Sequence, residues 1–461
     1  MPENNPSPAD AEEDELASFL PVLAVVRLDS VPGMATKIWD SKHPKDRLAR
    51  PPVVEAPLHG SFNILFPIEF RDRGIAWLLK IPINGTPRHW NTLCADELES
   101  EARTMQLIRK HTTIPIPDVF GFCKTPDNPL RCPHIWLSFI PGISLYDFWF
   151  AECPGMSEED YHRRRTRILK DVASAMVQLS QFSFSEGGRL TFSDDRPPSV
   201  GCCRELDIDA FAERLEQDNP DYMPVYFPSG PYKTAKEFYT SALNRPKLDS
   251  SEFFLGQRRL LQFFVVCIDD FFAADAHSFV LTHPDFDLQN FLVSPQGDLV
   301  GILDWEGVGA WPRSLGNLRY PAWLIRDWDP GMYGYGSDGV LHNPEMQGDL
   351  PQTLAHYRKV YRNAIRDALG EQKIQGDSRT YHTSAALITE ILHTAASNRK
   401  DRGMILRKIV QEIAGLVKVP CNDEDLLYME LCHCFGQGEP SKGALEALRT
   451  GLTMLLQNES L

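Results

Sequence analysis

The sequence predicts an α+β protein of two lobes, a small β-rich one followed by a larger, mainly α-helical one. Three observations lead there. The chain has 461 residues, more than one hydrophobic core usually serves. Short strand-forming runs and tight turns occupy 57–83, 118–123 and 134–140. Beyond residue 144 apolar residues recur at helical spacing, above all over 157–181, 253–272 and 350–456. The expected division is an acidic tail at 1–14, an N-lobe at 15–140 and a C-lobe at 141–461.

Residues 1–14 read as disordered, being acidic and Pro-rich. They lack the basic start and apolar core of a secretory signal, so a cytoplasmic location is expected. Residues 15–56 join an apolar piece, Glu15 to Leu28, to a Pro- and Lys-containing stretch with no assignable role. A hairpin follows, Leu58–Phe66 and Ile75–Pro82 about a turn at Arg71–Gly74. Its Gly60-Ser61-Phe62-Asn63 segment could lay backbone N–H groups over phosphates, and by itself also reads as a plain β-turn. Lys80 stands in a very apolar strand. Such a lysine either reaches solvent at an edge or is held inward by an opposite charge. The next helix, 93–110, buries Leu98, Ala102, Met105 and Ile108 by spacing, and Glu97, Glu99 and Glu101 compete to be that charge.

The helix over 157–181 starts at Ser157 with Asp160 three residues on, a pattern like a capping box. Arg163, Arg164 and Arg165 read as its solvated face. Residues 184–250, rich in Gly, Pro and Asp, read either as a substrate-side insertion or as a surface excursion. Gly309-Ala310-Trp311-Pro312 reads as a turn. After it, Trp311, Tyr320, Trp323, Trp328 and Tyr333 interleave with Asp327 and Asp329. That mixture suits either a cation site or lobe packing. Helices are expected at Leu354–Leu369, Ser384–Ser397, Gly403–Val417 and Ala444–Leu456.

The chemistry concentrates in 281–306, LTHPDFDLQNFLVSPQGDLVGILDWE. A strand enters at 278–282, and a hairpin turns at Pro295-Gln296-Gly297. It should bring Asp285, Asn290 and Asp304 to one end. Phosphoryl transfer needs a carboxylate to orient the attacking hydroxyl and oxygen ligands for Mg²⁺. Asp285 suits the first task, and Asn290 and Asp304 the second. His283 suits bracing of the loop better than proton transfer. Asp287 is either solvent-facing or a second acceptor contact, and Glu306 a support of the metal loop.

Net charge of −16 argues against nucleic acid and anionic membranes as partners, and is compatible with a cationic small-molecule acceptor. No run of about 18 apolar residues occurs, so no membrane span is expected. The ten cysteines form no paired C-x-x-C sets, which leaves a zinc site unsupported.

The H-x-D-x-x-x-x-N loop with its following Asp304 resembles the aminoglycoside phosphotransferase/choline kinase-like family, in particular its fungal branch. His283-Pro284-Asp285 stands where protein kinases have His-Arg-Asp, and Asp304-Trp305-Glu306 where they have Asp-Phe-Gly. The resemblance runs over about 57–330. It implies a protein-kinase-like fold, with ATP and Mg²⁺ as cofactors and transfer of the γ-phosphate to a hydroxyl of a small molecule. Aminoglycosides, choline, amino alcohols or other metabolites would serve as acceptors. It implies that Lys80 contacts the α/β-phosphates. On Ser100–Met105 and Thr113-Ile114-Pro115-Ile116-Pro117 it selects Glu101 as the partner of Lys80. It also implies a hinge over Ile135–Gly142 whose backbone at Ser138–Ile140 meets the adenine, a hairpin from Gly188, and a Gly-Pro element within Ser229–Ala235. The alternative function is an inactive kinase-like nucleotide-binding or scaffold protein. A protein kinase is disfavoured, because the Gly-x-Gly-x-x-Gly, Asp-Phe-Gly and Ala-Pro-Glu signatures are missing.

Overall fold

A computed structural model describes residues 16–151, 155–194, 196–207, 210–211, 213–214, 223–244, 251–272, 278–336, 341–342, 347–371, 384–419, 424–438 and 440–458. The expected tail at 1–14 lies outside them. The architecture is α+β, a β-sheet region followed by a helical one.

The first lobe is an antiparallel sheet. Its strands lie in the order Val53–Val54, Asn63–Phe70, Ile75–Pro82, His134–Ser138 and Val119–Cys123, and Leu58–His59 also pairs with Asn63–Phe70. Alternation along Ile75–Pro82 sorts its side chains onto two faces. Trp77, Leu79 and Ile81 join Phe66, Phe70, Phe19 and Val22 in one core cluster. The helix Val31–Lys42 caps that face through Val31, Ala35 and Trp39. The Trp39 ring lies 5.3 Å from Phe70 and 6.1 Å from Trp77. This helix fills the stretch that carried no role from sequence. Its signal was present: Pro32 at the first turn and apolar residues four apart. Lys80 points to the other face, opposite Ile135. There the helix Thr92–His111 packs Leu98, Ala102, Met105 and Ile108 against Ile135 and Leu137.

The second lobe is built on long helices, among them Glu158–Val177, Glu252–Phe271, Pro351–Glu371, Ser384–Ser397, Arg402–Val417 and Lys442–Leu456. Glu424–Gln437 adds a helix within the 350–456 stretch expected to be helical. Ser157 caps its helix by accepting from the Asp160 amide at 3.1 Å. The neighbouring arginines are not a uniform solvated face. Arg164 covers the Phe148 ring at 4.0 Å, and Arg165 bonds Asp349 at 2.8 Å. Apolar surroundings and an acid 184 residues away drew them inward.

Two small sheets position the catalytic stretch. Phe279–Thr282 pairs with Gly309–Pro312, and Thr282 lies opposite Gly309. Gly309–Pro312 is therefore a strand, not a turn. It also pairs with Gly188–Ser193, so its short apolar run has hydrogen-bonding neighbours on both sides. Everything between 283 and 308 leaves and returns at one point. Within it, Phe291–Val293 and Leu299–Ile302 form the hairpin, completed by Ile143–Ser144. Both polar loops thus lie at the same end. The hairpin expected from Gly188 runs with Arg196–Gly201 as its second strand.

Candidate active site

Lys80 is buried and does not reach solvent. Its Nζ donates to Glu101 Oε1 at 2.7 Å and lies 3.3 Å from Glu306 and 3.7 Å from Asp304. Burial works against its ammonium. Glu101, Glu306 and Asp304 overcome that and hold its pKa above the usual lysine value. Burial pushes Glu101 up to about 7 against the pull of Lys80. Glu97 is buried as well, and burial raises it to about 7 despite Arg204 and Arg189. Glu99 binds Lys124 and Arg103.

The 283–290 loop closes on itself. Asn290 Nδ2 donates to Asp285 Oδ2 at 2.7 Å and to the Asp285 carbonyl at 2.9 Å. The Leu303 amide donates to the Asn290 carbonyl at 2.7 Å, which ties this loop to the one bearing Asp304. Asp285 and Asp304 are both exposed. Burial of its surroundings raises the Asp304 pKa, Lys80 opposes this, and Glu306 and Asp285 add to it. Asp304 has φ 54, a left-handed conformation that Asp adopts more readily than most residues. Trp305 anchors it from the core, its Nε1 donating to the Ile302 carbonyl at 2.9 Å.

His283 is fully enclosed. Its Nε2 bonds the Leu303 carbonyl at 2.8 Å, and its ring meets Trp305 edge-on at 4.6 Å. Burial drives its pKa down to about 4, so it stays neutral at physiological pH and acts as a brace. Asp287, expected to face solvent or the acceptor, is buried. It caps the Leu288 amide at 2.8 Å and holds Arg326 through both oxygens at 3.1 Å. Arg319, to which no sequence pattern points, donates to the His283 and Pro284 carbonyls at 3.0 Å and to Glu390 at 3.2 Å.

Glu306 links the two lobes. Asn63 donates to its Oε2 at 2.6 Å, and Arg204 bonds its Oε1. Arg204 comes from the ribbon of Cys203–Leu206 and Tyr226–Ser229, where its guanidinium covers the Tyr226 ring at 4.1 Å. Lys80 and Arg204 outweigh burial and hold the Glu306 carboxyl down at about 2. Arg189 ties the neighbouring strand to Asp96 at 3.0 Å. The 184–250 stretch, in its described parts, is thus wired into the cleft rather than being a surface excursion.

Some expected contacts are committed elsewhere. The Gly60 amide donates to the Asn63 carbonyl at 2.9 Å and is spent within that turn. The Ser138 amide donates to Asp118 at 2.9 Å and the Phe139 amide to Ala76 at 3.2 Å, so neither is open to an adenine. Ile140 follows immediately, beyond the strand. The aromatic–acid mixture is core rather than a cation site. Tyr320, Trp323 and Trp328 are buried, Asp327 pairs with Arg358 at 2.8 Å, and Asp329 caps the Met332 amide at 3.3 Å. Internal arginines cover the remaining rings, Arg319 over Trp311 at 5.0 Å and Arg326 over Tyr333 at 4.9 Å.

Residues 88–314 match the sequence profile of the phosphotransferase enzyme family, APH. Over these residues the chain is similar to that family. A subtelomeric hrmA-associated cluster protein of Aspergillus fumigatus is 23% identical to this chain over 332 residues, 58% of this chain and 60% of the relative. The chain therefore spans less than two thirds of that relative's length. Among solved structures, the aminoglycoside phosphotransferase APH(4)-Ia in complex with AMP-PNP and hygromycin B aligns at TM-score 0.39 and 13% identity. That alignment covers 88% of this chain and 99% of the other. The ethanolamine kinase of Plasmodium vivax aligns at TM-score 0.41 and 12% identity over 96% and 97%. No helix among the described residues is long and apolar enough to cross a membrane.

Proposed function

We propose that this chain is an ATP- and Mg²⁺-dependent phosphotransferase that moves the γ-phosphate to a hydroxyl of a small molecule. One observation carries the reading. Lys80, Glu101 and Asn63 of the first lobe and Asp304 and Glu306 of the second form one contiguous polar cluster, and Asp285 with Asn290 lies on the adjoining loop. Lys80, steadied by Glu101, is the ligand for the α/β-phosphates. Glu306 holds Lys80 and Asn63 at the mouth of the cleft, and Arg204 steadies Glu306. Ser61 and Phe62 amides cover the phosphates, and the backbone at Ile140 and the Ser138 carbonyl meet the adenine.

The donor set suits a divalent cation. Burial, Glu306 and Asp285 raise the cost of ionising Asp304, and an added positive charge relieves it. Asp304 and the amide oxygen of Asn290, whose nitrogen is spent on Asp285, would hold it. Bound Mg²⁺ supplies charge neutralisation on the phosphate oxygens. Asp285 keeps one oxygen on Asn290 and offers the other to the acceptor hydroxyl, which it orients and from which it takes the proton as the O–P bond forms. His283 and Arg319 hold that loop in place.

The test is Asp285→Asn, with ADP release and nucleotide binding measured side by side. The expectation is a fall in transfer of about 10²–10⁴-fold with nucleotide affinity retained. Transfer at the parent rate would remove Asp285 from the reaction.

A further inference from the structure

We propose that Arg189 is a positioning residue of the nucleotide site, acting through the helix Thr92–His111 to hold Glu101 against Lys80. This deepens the phosphotransferase reading and rests on it, since that pair matters to a reaction only if Lys80 meets phosphates. Arg189 lies in the strand Gly188–Ser193, opposite Gly309. Gly309 in turn lies opposite Thr282, the residue before His283. The main chain of Arg189 is thus part of the sheet from which the 283–290 loop springs. Its side chain leaves that sheet for the first lobe. Nη2 donates to Asp96 Oδ2 at 3.0 Å and Nη1 to the Asp96 carbonyl at 3.1 Å. Nε donates to the Cys202 carbonyl, next to the ribbon that carries Arg204, and this third bond fixes the plane of the guanidinium.

The grip is on the helix itself as well as on a side chain. The bond to the Asp96 carbonyl holds the main chain, which the half-exposed carboxylate alone would not do. Asp96 precedes Glu101 by five residues, about 7.5 Å along the axis. The stretch between them, Glu97-Leu98-Glu99-Ser100, contains no Gly or Pro, so it moves as one stiff piece. Glu97, one turn before Glu101 on the same face, is buried, and Arg204 and then Arg189 oppose the cost of that burial. Removing Arg189 therefore takes away the hold on Asp96 and part of the charge that answers Glu97. The sheet side has no slack. A Cβ on Gly309 would come within 2.7 Å of the Gly188 carbonyl oxygen and 3.5 Å of the Arg189 Cα, so the two strands are already pressed together. At the other end, Lys80 Nζ and Glu101 Oε1 are 2.7 Å apart. A displacement of about 1 Å takes them beyond hydrogen-bonding distance, and a misplacement of that size costs a reacting site about 10²-fold.

Binding of Mg-AMP-PNP is titrated calorimetrically to the full chain and to Arg189→Met, Glu101→Gln and the double variant. Arg189→Met should weaken binding about tenfold in the parent and less than about threefold in the Glu101→Gln background, because its effect passes through that carboxylate. Equal losses in the two backgrounds mark a mere tether between lobes and overturn the inference, and so does unchanged binding in Arg189→Met. Should Arg189→Met fail to fold, Asp96→Ala cuts the same ion pair from its half-exposed side and is read in the same cycle. A parent that binds no Mg-AMP-PNP fails the phosphotransferase reading and not the positioning of the helix. Hydrogen exchange over 92–111 then decides. Faster exchange in Arg189→Met than in the parent supports the inference, and equal exchange overturns it.

Discussion

Arg204 and Glu306 offer the sharpest perturbation. They lie 102 residues apart, in a ribbon and in the loop after Asp304. Their side chains are 6% and 20% exposed, so water screens the pair little. Breaking a buried pair from one side typically costs about 3–5 kcal/mol. Here Glu306 keeps Asn63 at 2.6 Å and Lys80 at 3.3 Å on its other oxygen, so its charge is not stranded. Arg204→Met should therefore cost about 2–3 kcal/mol, part of it the lost contact with Tyr226. A double-mutant cycle with Glu306→Gln removes that part, because the Tyr226 contact is lost in both legs. The coupling expected is about 2 kcal/mol, the worth of a charge-assisted pair with partial compensation. Urea denaturation of parent, both single variants and the double variant measures it. Mg-ATP affinity should weaken in Arg204→Met, because Glu306 then pulls harder on Lys80. A coupling below about 0.5 kcal/mol would refute the reasoning, since residues in direct contact exceed that figure.

Further outcomes follow from other parts of the site. Asp304→Asn should abolish Mg-dependent nucleotide binding yet raise the Tm of the free protein, because burial and then neighbouring carboxylates disfavour the Asp304 charge more than Lys80 favours it; calorimetry with and without Mg-ATP checks both halves, and an unchanged Mg dependence rules out the metal role. His283 has a folded pKa of about 4 against an ordinary 6.5, so the unfolded chain binds more protons between those values and stability falls as pH drops from 6.5 to 4. The stabilisation at risk is at most about 3 kcal/mol. The stability gap between parent and His283→Gln should therefore shrink over that interval, and a gap constant with pH disproves the shift. Trp39→Ala empties the cover of the N-lobe sheet and should cost about 3–5 kcal/mol, read from denaturation midpoints; a cost under about 1 kcal/mol means that the helix Val31–Lys42 is not docked in solution.

Elements specified by neighbouring residues are legible in the chain itself. The hairpin Asn63–Phe70 and Ile75–Pro82, the helix Thr92–His111 and the catalytic hairpin follow from local apolar patterns and turn residues. Gly309–Pro312 is not legible in that way. Four residues have no period to read, and pairing with two strands far away in sequence makes them a strand. Glu97 escapes a local reading for a related reason, since the charges that answer its carboxylate, Arg204 and Arg189, come from strands far along the chain.

By itself the sequence determined the spacing of Asp285, Asn290 and Asp304, and it put Lys80 where an apolar strand forces a charged partner. Those facts depend on a few adjacent dihedral angles and on alternation. The tertiary structure alone decided which charges are spent and which remain. Arg204 on Glu306, Arg326 on Asp287 and Arg358 on Asp327 are pairings across 102, 39 and 31 residues. A side chain's charge is a property of its residue, but its availability is a property of whatever the fold brings within about 4 Å.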